Sequence, residues 1–155
     1  MRVLTVRQPW ASAIVFEGKS PENRSQLWQY TGPVAIHAAA ALDEAALTHP
    51  VIVEAMGPAA ELGFGAPRAR PLHTSAVLGV VQMIGAHPAE DDCCPGNRWA
   101  ERGPGVVHLV FRNPRPFVEP ILGVSGRLGL WKPDDELLHQ IGDRLVATMV
   151  DRSQR

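Results

Sequence analysis

Polar and apolar residues alternate in several short stretches of the chain, which is the pattern of half-buried β-strands. A nearly continuous apolar run over 75–86 predicts a further strand that is buried on both faces. The last strand follows a turn at Gly126. In total we predict about six strands, at residues 2–6, 22–25, 34–38, 75–86, 106–112 and 125–131.

Apolar residues at helical spacing predict three or four helices between and after these strands. Pro9 suits the first position of a helix, so we predict a helix over 9–17 that Gly18 ends. Asp43 suits the cap of a second helix, because a carboxylate can accept hydrogen bonds from free N–H groups there. A helix over 50–56 either continues that one or starts anew at its proline.

The C-terminal segment has the clearest helix start. Pro133 is followed by three acidic residues, which stabilise the positive end of a helix dipole. Apolar residues recur on one face up to Met149. We predict a single domain over 1–150 and a frayed polar tail over 151–155. No glycine-rich phosphate loop follows a strand, and the predicted fold is α+β: a small, mostly antiparallel β-barrel flanked by helices.

Composition limits the possible functions. The 155 residues suffice for one hydrophobic core, and the 14 glycines and 14 prolines indicate many turns. A formal net charge of -1 argues against broad, sequence-blind binding of a polyanion, but it leaves room for one local basic pocket. We see neither a secretion signal nor an apolar run long enough for a bilayer, so we predict a cytoplasmic protein without membrane contact.

A polar loop over 87–105 contains residue types that bind metals. Cys93 and Cys94 are adjacent, which excludes an ordinary disulfide framework and hinders tetrahedral chelation of one zinc. We therefore predict no metal site and no cofactor, and interpret the loop as an exposed pair of thiols. A second loop, over 63–71, exposes Arg68 and Arg70. The candidate metal-binding side chains are His87, Asp91, Asp92, Cys93 and Cys94.

The turn over 18–24 concentrates charge between the first helix and the next strand. It contains Lys19, Glu22, Asn23 and Arg24 within a few residues. Such a group either faces solvent or lines a site. A lysine beside a barrel opening can hold a phosphate as a point charge or act as a general base. The alternative is a solvated ion pair between Lys19 and Glu22.

Two polar residues precede the first predicted helix. Arg7 and Gln8 lie where the free N–H groups of a helix N-terminus attract anions, and an arginine fork suits phosphate. Arg24 should project from the next strand. Over residues 1–36, basic side chains outnumber acidic ones four to two. Alternatively, Arg7 or Arg24 is a structural arginine that pairs with Glu22.

Three regions of the chain, the last in two parts, resemble the ASCH family, whose members share a PUA-like β-barrel. LTVRQPWASAIVFEGKSPENRS resembles the family's opening segment, and YTGPVAIHAA resembles its second strand. VVHLVFRNPRPF and GVSGRLGLW resemble its closing strands. The segments follow in order from Leu4 to Trp131. The resemblance implies a PUA-like barrel with a cleft for RNA, single-stranded nucleic acid or a nucleotide-like ligand.

The resemblance also implies roles for the charged turn. Some small bacterial members deacylate acetylated cytidine with a catalytic lysine that Lys19 matches, and a ribonuclease activity is attributed to at least one member. Three residues later those deacylases carry a threonine nucleophile, where this chain has Glu22. A carboxylate cannot replace a hydroxyl nucleophile without a change of mechanism. The hydroxyl of Ser20 is next to the lysine, where strand alternation would point it to the other face.

Aromatic and basic residues outside the turn complete the predicted cleft. Trp10 and Trp28 are either stacking surfaces for unpaired bases or core residues, whereas we interpret Trp131 as core. Arg127 should lie near the Lys19 turn if the family fold applies. We interpret His37 as a hydrogen-bonded structural residue. The predicted binding residues are Arg7, Gln8, Trp10, Lys19, Glu22, Arg24, Trp28 and Arg127.

The sequence therefore favours a nucleic-acid-binding domain with a cationic cleft, specific for RNA or a single strand. The alternative is a small hydrolase that acts on a modified nucleoside or on RNA. In that enzyme Lys19 would activate a nucleophile or water, Glu22 would be the general acid or base, and an arginine would hold the developing negative charge. A third interpretation is an interaction module within a larger regulatory assembly.

Overall fold

The computed structural model describes residues 1–58, 71–90 and 93–153. The strands in these ranges are β1 (Arg2–Gln8), β2 (Glu22–Arg24), β3 (Gly32–Leu42), β4 (Ala76–Pro88), β5 (Val107–Leu122) and β6 (Leu130–Trp131). The helices are α1 (Trp10–Phe16), α2 (Pro50–Met56) and α3 (Asp135–Ser153), with a 3-10 helix at Ala45–Thr48. None of the described helices has the length and apolar character needed to cross a membrane.

The strands form one mixed sheet that curls into a half-barrel. Their order is β2-β5-β4-β3-β1-β6, with β1 parallel to β3 and the other neighbouring pairs antiparallel. The curl brings the β2 margin beside β1, where the Arg24 guanidinium donates a 2.9 Å hydrogen bond to the Thr5 carbonyl. The predicted α+β fold with a mostly antiparallel, barrel-like sheet is confirmed. Between β2 and β1 the link is the Arg24 side chain.

Helix α1 lies inside the curl. Every residue over 11–15 is buried, and the helix packs against a core formed by β1, β3, β4 and β5. Gly79 of β4 makes this approach possible, because an added Cβ would lie 2.9 Å from Val15 Cγ1 and 2.5 Å from the Arg115 carbonyl oxygen. Any larger residue at this position would push α1 or β5 away from β4.

Helix α3 covers the other face of the sheet. Leu137 and Ile141 pack there with Phe117 and Ile121 of β5 in a second core. Strand β4 contributes to both cores, since Leu78 belongs to the first, whereas Val77 and Val80 belong to the second. Burial on both faces explains why its apolar run is nearly continuous rather than alternating, as the sequence predicted.

Strand β5 is longer than the sequence predicts. The alternation indicated a strand over 106–112, interrupted afterwards by prolines, but β5 continues through Pro114, Pro116 and Pro120 to Leu122. Its short neighbour β2 pairs only with Val107–Leu109. Beyond those residues β5 pairs only with β4 in the described sheet. A proline whose missing N–H would point away from β4 therefore interrupts no hydrogen-bond ladder there.

The helices agree closely with their sequence signals. Asp43 Oδ1 accepts a 3.2 Å hydrogen bond from the Ala46 amide, and therefore caps a 3-10 helix rather than an α-helix. Asp134 Oδ1 caps α3 by accepting a 2.9 Å bond from the Leu137 amide. Helix α3 extends to Ser153, into the predicted tail over 151–155. The predicted Arg68 and Arg70 loop lies outside the described residues, apart from Pro71.

His37 anchors the turn before β6. Its side chain is almost fully buried, and Nε2–H donates a 2.9 Å hydrogen bond to the Val124 carbonyl. Its Nδ1 has no hydrogen-bond partner in the described part of the chain and lies against the backbone of Gly126. Burial lowers the pKa of His37 below the ordinary 6.5, against a smaller opposing effect of the carbonyl hydrogen bond. The ring is therefore a neutral structural group, as interpreted from the sequence.

This lowered pKa predicts a pH-dependent stability. The unfolded chain binds a proton at His37 more readily than the folded chain. The contribution of neutral His37 to the free energy of unfolding is therefore complete above pH 6.5 and is lost as pH falls below it. Between about pH 7.5 and about pH 5, the free energy of unfolding should fall less in His37→Gln than in the wild type. Urea unfolding at each pH measures this difference.

The matched control is His139→Gln, since His139 is 78% exposed on α3. This variant should keep the wild-type pH dependence. Identical pH dependence in His37→Gln and the wild type would contradict the assignment.

Candidate ligand-binding cleft

A cleft of about 470 Å³ opens where the β2 margin of the sheet meets β1. Its walls come from β1, β2, the end of β3 and the turn over 127–129. Because no continuous backbone ladder joins β1 to β2 in the described sheet, side chains line this opening. The charged residues among them are Arg7, Glu22, Arg24, Asp43 and Arg127.

A chain of charged residues leads from the cleft lining into the interior, with Arg24 and Glu22 in the lining and Lys19 behind them. Lys19 Nζ donates to Glu22 Oε2 at 2.7 Å and to the Pro21 carbonyl at 2.9 Å. The Lys19 and Glu22 side chains are 2% and 8% exposed. Arg24 Nε lies 3.0 Å from Glu22 Oε1, an ion pair whose geometry is not that of a hydrogen bond. Both carboxylate oxygens of Glu22 are therefore matched by cations.

The local backbone explains why Lys19 points inward. Helix α1 ends before Gly18, which adopts a positive φ of 67° that favours glycine. The chain then turns back, and the Lys19 amide donates a 3.0 Å hydrogen bond to the Ala13 carbonyl. The lysine ammonium lies 5.7 Å from the centre of the Trp10 ring. Lys19 is thus a buried partner of Glu22, whereas the sequence suggested a phosphate contact, a general base or a solvated ion pair.

Exposed arginines lie at the mouth of the cleft. Arg7 projects from β1 and is exposed, as is Arg127 in the turn before β6. The Arg127 guanidinium lies 5.4 Å from the centre of the Trp131 ring, which restricts its position. Trp131 itself is buried, as predicted. The structure therefore brings Arg7, Arg24 and Arg127 to one opening.

Trp10 lines the same cleft and is held by Asp43, which the sequence predicted only as a helix cap. The indole Nε1–H donates a 3.0 Å hydrogen bond to Asp43 Oδ2. Asp43 thus caps the 3-10 helix with one oxygen and fixes Trp10 with the other. No local pattern in the sequence indicates this second contact, because it joins residues far apart in the chain.

Of the predicted cleft residues, Lys19 lines only a smaller cavity beside the cleft, and two others line neither cavity. The Gln8 side chain is fully buried, donates to the His73 carbonyl at 2.8 Å and accepts from the Ser12 amide at 3.0 Å. It therefore fixes the start of α1 instead of facing a ligand. Trp28 is half-buried and packs against the core around α1, outside the lining of the cleft.

The segment over 97–101 closes against the Lys19 turn. Asn23 donates to the Trp99 carbonyl at 2.8 Å and accepts from the Glu101 amide at 3.2 Å. Glu101 lines a smaller cavity of about 80 Å³ with Trp10, Lys19, Glu22 and Asn23. No sequence pattern indicates that Glu101 is a neighbour of this turn. The Ser20 hydroxyl accepts a 2.9 Å hydrogen bond from the Phe111 amide and is engaged by β5.

No protein-family model and no curated protein sequence matches this chain significantly. Solved structures of an ASCH protein from Zymomonas mobilis are similar in fold. The first covers 91% of this chain and 93% of that chain, with a TM-score of 0.54 at 14% identity. Two single-substitution variants of that protein have TM-scores of 0.54 and 0.50, also at 14% identity and over 91% of this chain, and cover 96% and 94% of their own chains. The chain has an ASCH-like fold, as its motifs predicted.

The buried ion pair makes a testable contribution to stability. Replacing Lys19 by Met leaves the buried Glu22 without its closest cation, and we expect a loss of about 3 kcal/mol in the free energy of unfolding. Adding Glu22→Gln to that variant should restore part of the loss, because the unpaired charge is removed. Denaturant unfolding of the variants measures both effects.

The control is the exposed pair of Arg98 and Glu54, whose Oε1 lies 2.8 Å from the guanidinium. Glu54→Gln should cost at most about 1 kcal/mol. Equal losses of unfolding free energy for Lys19→Met and Glu54→Gln would contradict the claim that burial makes the Lys19–Glu22 pair more important for stability.

Proposed function

We propose that this protein binds RNA or another single-stranded nucleic acid in the cleft between β1 and β2. The observation that carries the proposal is the convergence of Arg7, Arg24 and Arg127 with the Trp10 ring at one opening. Guanidinium groups bind phosphate through paired hydrogen bonds, and aromatic rings stack on unpaired bases. The cleft volume of about 470 Å³ lies in the range of small-molecule sites, which suits one nucleotide of a strand.

The two carboxylates of the cleft favour binding of a nucleobase together with phosphate, rather than of phosphate alone. Glu22 is paired with Lys19 and Arg24, and Asp43 is engaged by Trp10 and the Ala46 amide, so their repulsion of phosphate is reduced. Carboxylate oxygens keep further lone pairs, which accept hydrogen bonds from exocyclic amino groups of bases. Arg7 and Arg127, at the exposed rim, are the candidates for phosphate contacts.

Substitution of the rim arginines tests this proposal. Arg7→Ala and Arg127→Ala should each weaken binding of a fluorescent single-stranded RNA. Each should also reduce the magnitude of the slope of log affinity against log salt concentration by about 0.7, which is the contribution of one phosphate contact in a single strand. Anisotropy titrations at several salt concentrations measure both quantities.

Arg112→Ala is the control, because Arg112 is an exposed arginine of β5 outside the cleft lining. It should leave affinity and salt dependence unchanged. The proposal fails if the wild type shows no salt-dependent binding, or if Arg112→Ala has the same effect as the rim variants.

A second candidate function is hydrolysis of a modified nucleoside, of the acetylated cytidine type, or of RNA. The observation that favours it is the small cavity where Lys19, Glu22 and Glu101 face one another beside the main cleft. There Glu22 would act as general acid or base on a water molecule, with Lys19 fixing its orientation, and Arg24 or Arg127 would stabilise developing negative charge.

Incubation with acetylated cytidine and with single-stranded RNA tests this candidate. If it is correct, product should form with the wild type and disappear with Glu22→Gln, whereas the exposed control Glu54→Gln should retain turnover. Binding without product from either substrate would reject hydrolysis of these substrates and leave nucleic-acid binding as the function.

A further inference from the structure

A group of histidine and cysteine side chains lies beside β2, outside the cleft. His87 of β4 and His108 of β5 are direct cross-strand partners, with ring centres 5.3 Å apart. Cys93 from the following loop points at them, and one ligand atom from each of the three residues lies within 4.8 Å of the others. Cys93 Sγ is 3.4 Å and Cys94 Sγ is 3.7 Å from His108 Nδ1.

Both histidine rings are oriented as metal ligands are. His108 Nε2 lies 2.8 Å from the Glu101 carbonyl oxygen, so an N–H there leaves Nδ1 as a lone pair facing the thiols. His87 Nδ1 lies 2.8 Å from the Pro88 carbonyl oxygen, which in the same way leaves Nε2 free. Histidines that bind metals usually hold their second N–H on such a carbonyl or carboxylate, which fixes the tautomer and the ring.

The distances fit zinc. A tetrahedral ion with Zn–S of about 2.3 Å and Zn–N of about 2.0–2.1 Å places its sulfur and nitrogen ligands about 3.6 Å apart. The distances from the Cys93 and Cys94 sulfurs to His108 Nδ1 bracket this value. A mixed imidazole and thiolate set suits Zn²⁺ and is unsuited to Mg²⁺ or Ca²⁺, which prefer oxygen ligands.

We propose that His87, Cys93 and His108 bind one Zn²⁺ ion. Cys94 Sγ, 3.7 Å from His108 Nδ1, lies outside that group of three and would complete the tetrahedron only after a change of its side-chain rotamer. Each thiol that coordinates the ion forms its Zn–S bond as a thiolate and releases its proton to solvent. The proposal departs from the sequence prediction of no metal, which considered cysteine spacing alone. The register of β4 and β5 supplies the two histidines, and that register was not readable from the spacing of the cysteines.

The ion would hold the segment over 93–101 against the sheet. His108 contacts the Glu101 carbonyl, and Asn23, its cross-strand partner on β2, holds the Glu101 amide and the Trp99 carbonyl. Glu101 also lines the small cavity with Lys19. The inferred zinc site is therefore structural, and it positions one wall of that cavity. The inference does not depend on the proposed nucleic-acid binding.

Titration of the untagged full chain with Zn²⁺, in competition with a chromophoric chelator, tests the proposal. We expect one ion per chain and, with Co²⁺ as a substitute, a charge-transfer band from thiolate to cobalt. At a free zinc concentration about 100 times Kd, the Tm should rise by about 5–10 °C. His87→Asn and Cys93→Ser should each weaken binding by more than about 100-fold, because loss of a ligand costs more than the 10–100-fold typical of losing an outer-shell partner.

His139→Asn is the matched control, because it removes an exposed histidine on α3 and should leave zinc affinity unchanged. His87 and Cys93 are both partly exposed, so their variants are expected to fold, which circular dichroism checks. Three results would overturn the proposal: no stoichiometric zinc binding, undiminished binding in both variants, or cobalt binding without the thiolate band.

Discussion

Lys19 and Glu22 are charged residues with little contact with water, and the geometry of the cleft depends on their pairing. Removal of two charges from water costs free energy that only close pairing and further hydrogen bonds recover. Here the Pro21 carbonyl accepts from Lys19, and Arg24 approaches the second oxygen of Glu22. Arg24 continues the connection to the Thr5 carbonyl. The Arg24 contact to Thr5 therefore links β2 to β1 across the opening, and the pairing of Glu22 with Lys19 and Arg24 anchors that contact on the β2 side.

The local patterns of the sequence predicted much of this architecture. Pro9 and Gly18 bounded the region of α1, and the apolar run of β4 indicated burial on both faces. The ordered motifs from Leu4 to Trp131 indicated the ASCH-like fold, although the solved structures with this fold share only 14% identity with the chain. Arg7 was predicted from its place before a helix and Arg127 from the family resemblance, and both lie in the lining of one cleft.

Features that depend on contacts between residues far apart in the chain could not be predicted from local sequence patterns. Lys19 became a buried residue because Trp10 and the segment over 97–101 cover it, and neither contact has a local signature. The sequence around Gln8 is typical of an exposed polar residue before a helix, yet its side chain is buried and donates to the His73 carbonyl. The length of β5 was underestimated because a proline ends a strand only where its N–H is needed, which requires knowledge of the neighbouring strand.

The three prolines of β5 also affect how the protein behaves among copies of itself. Pro114, Pro116 and Pro120 lie where β5 pairs only with β4 in the described part of the sheet, and a proline has no backbone N–H to offer a further strand. The terminal strands β2 and β6 contain only three and two residues. Short margins and an interrupted flank offer little template for edge-to-edge pairing. The described sheet can thus stay open between β1 and β2 while its edges resist pairing with a second copy of the chain.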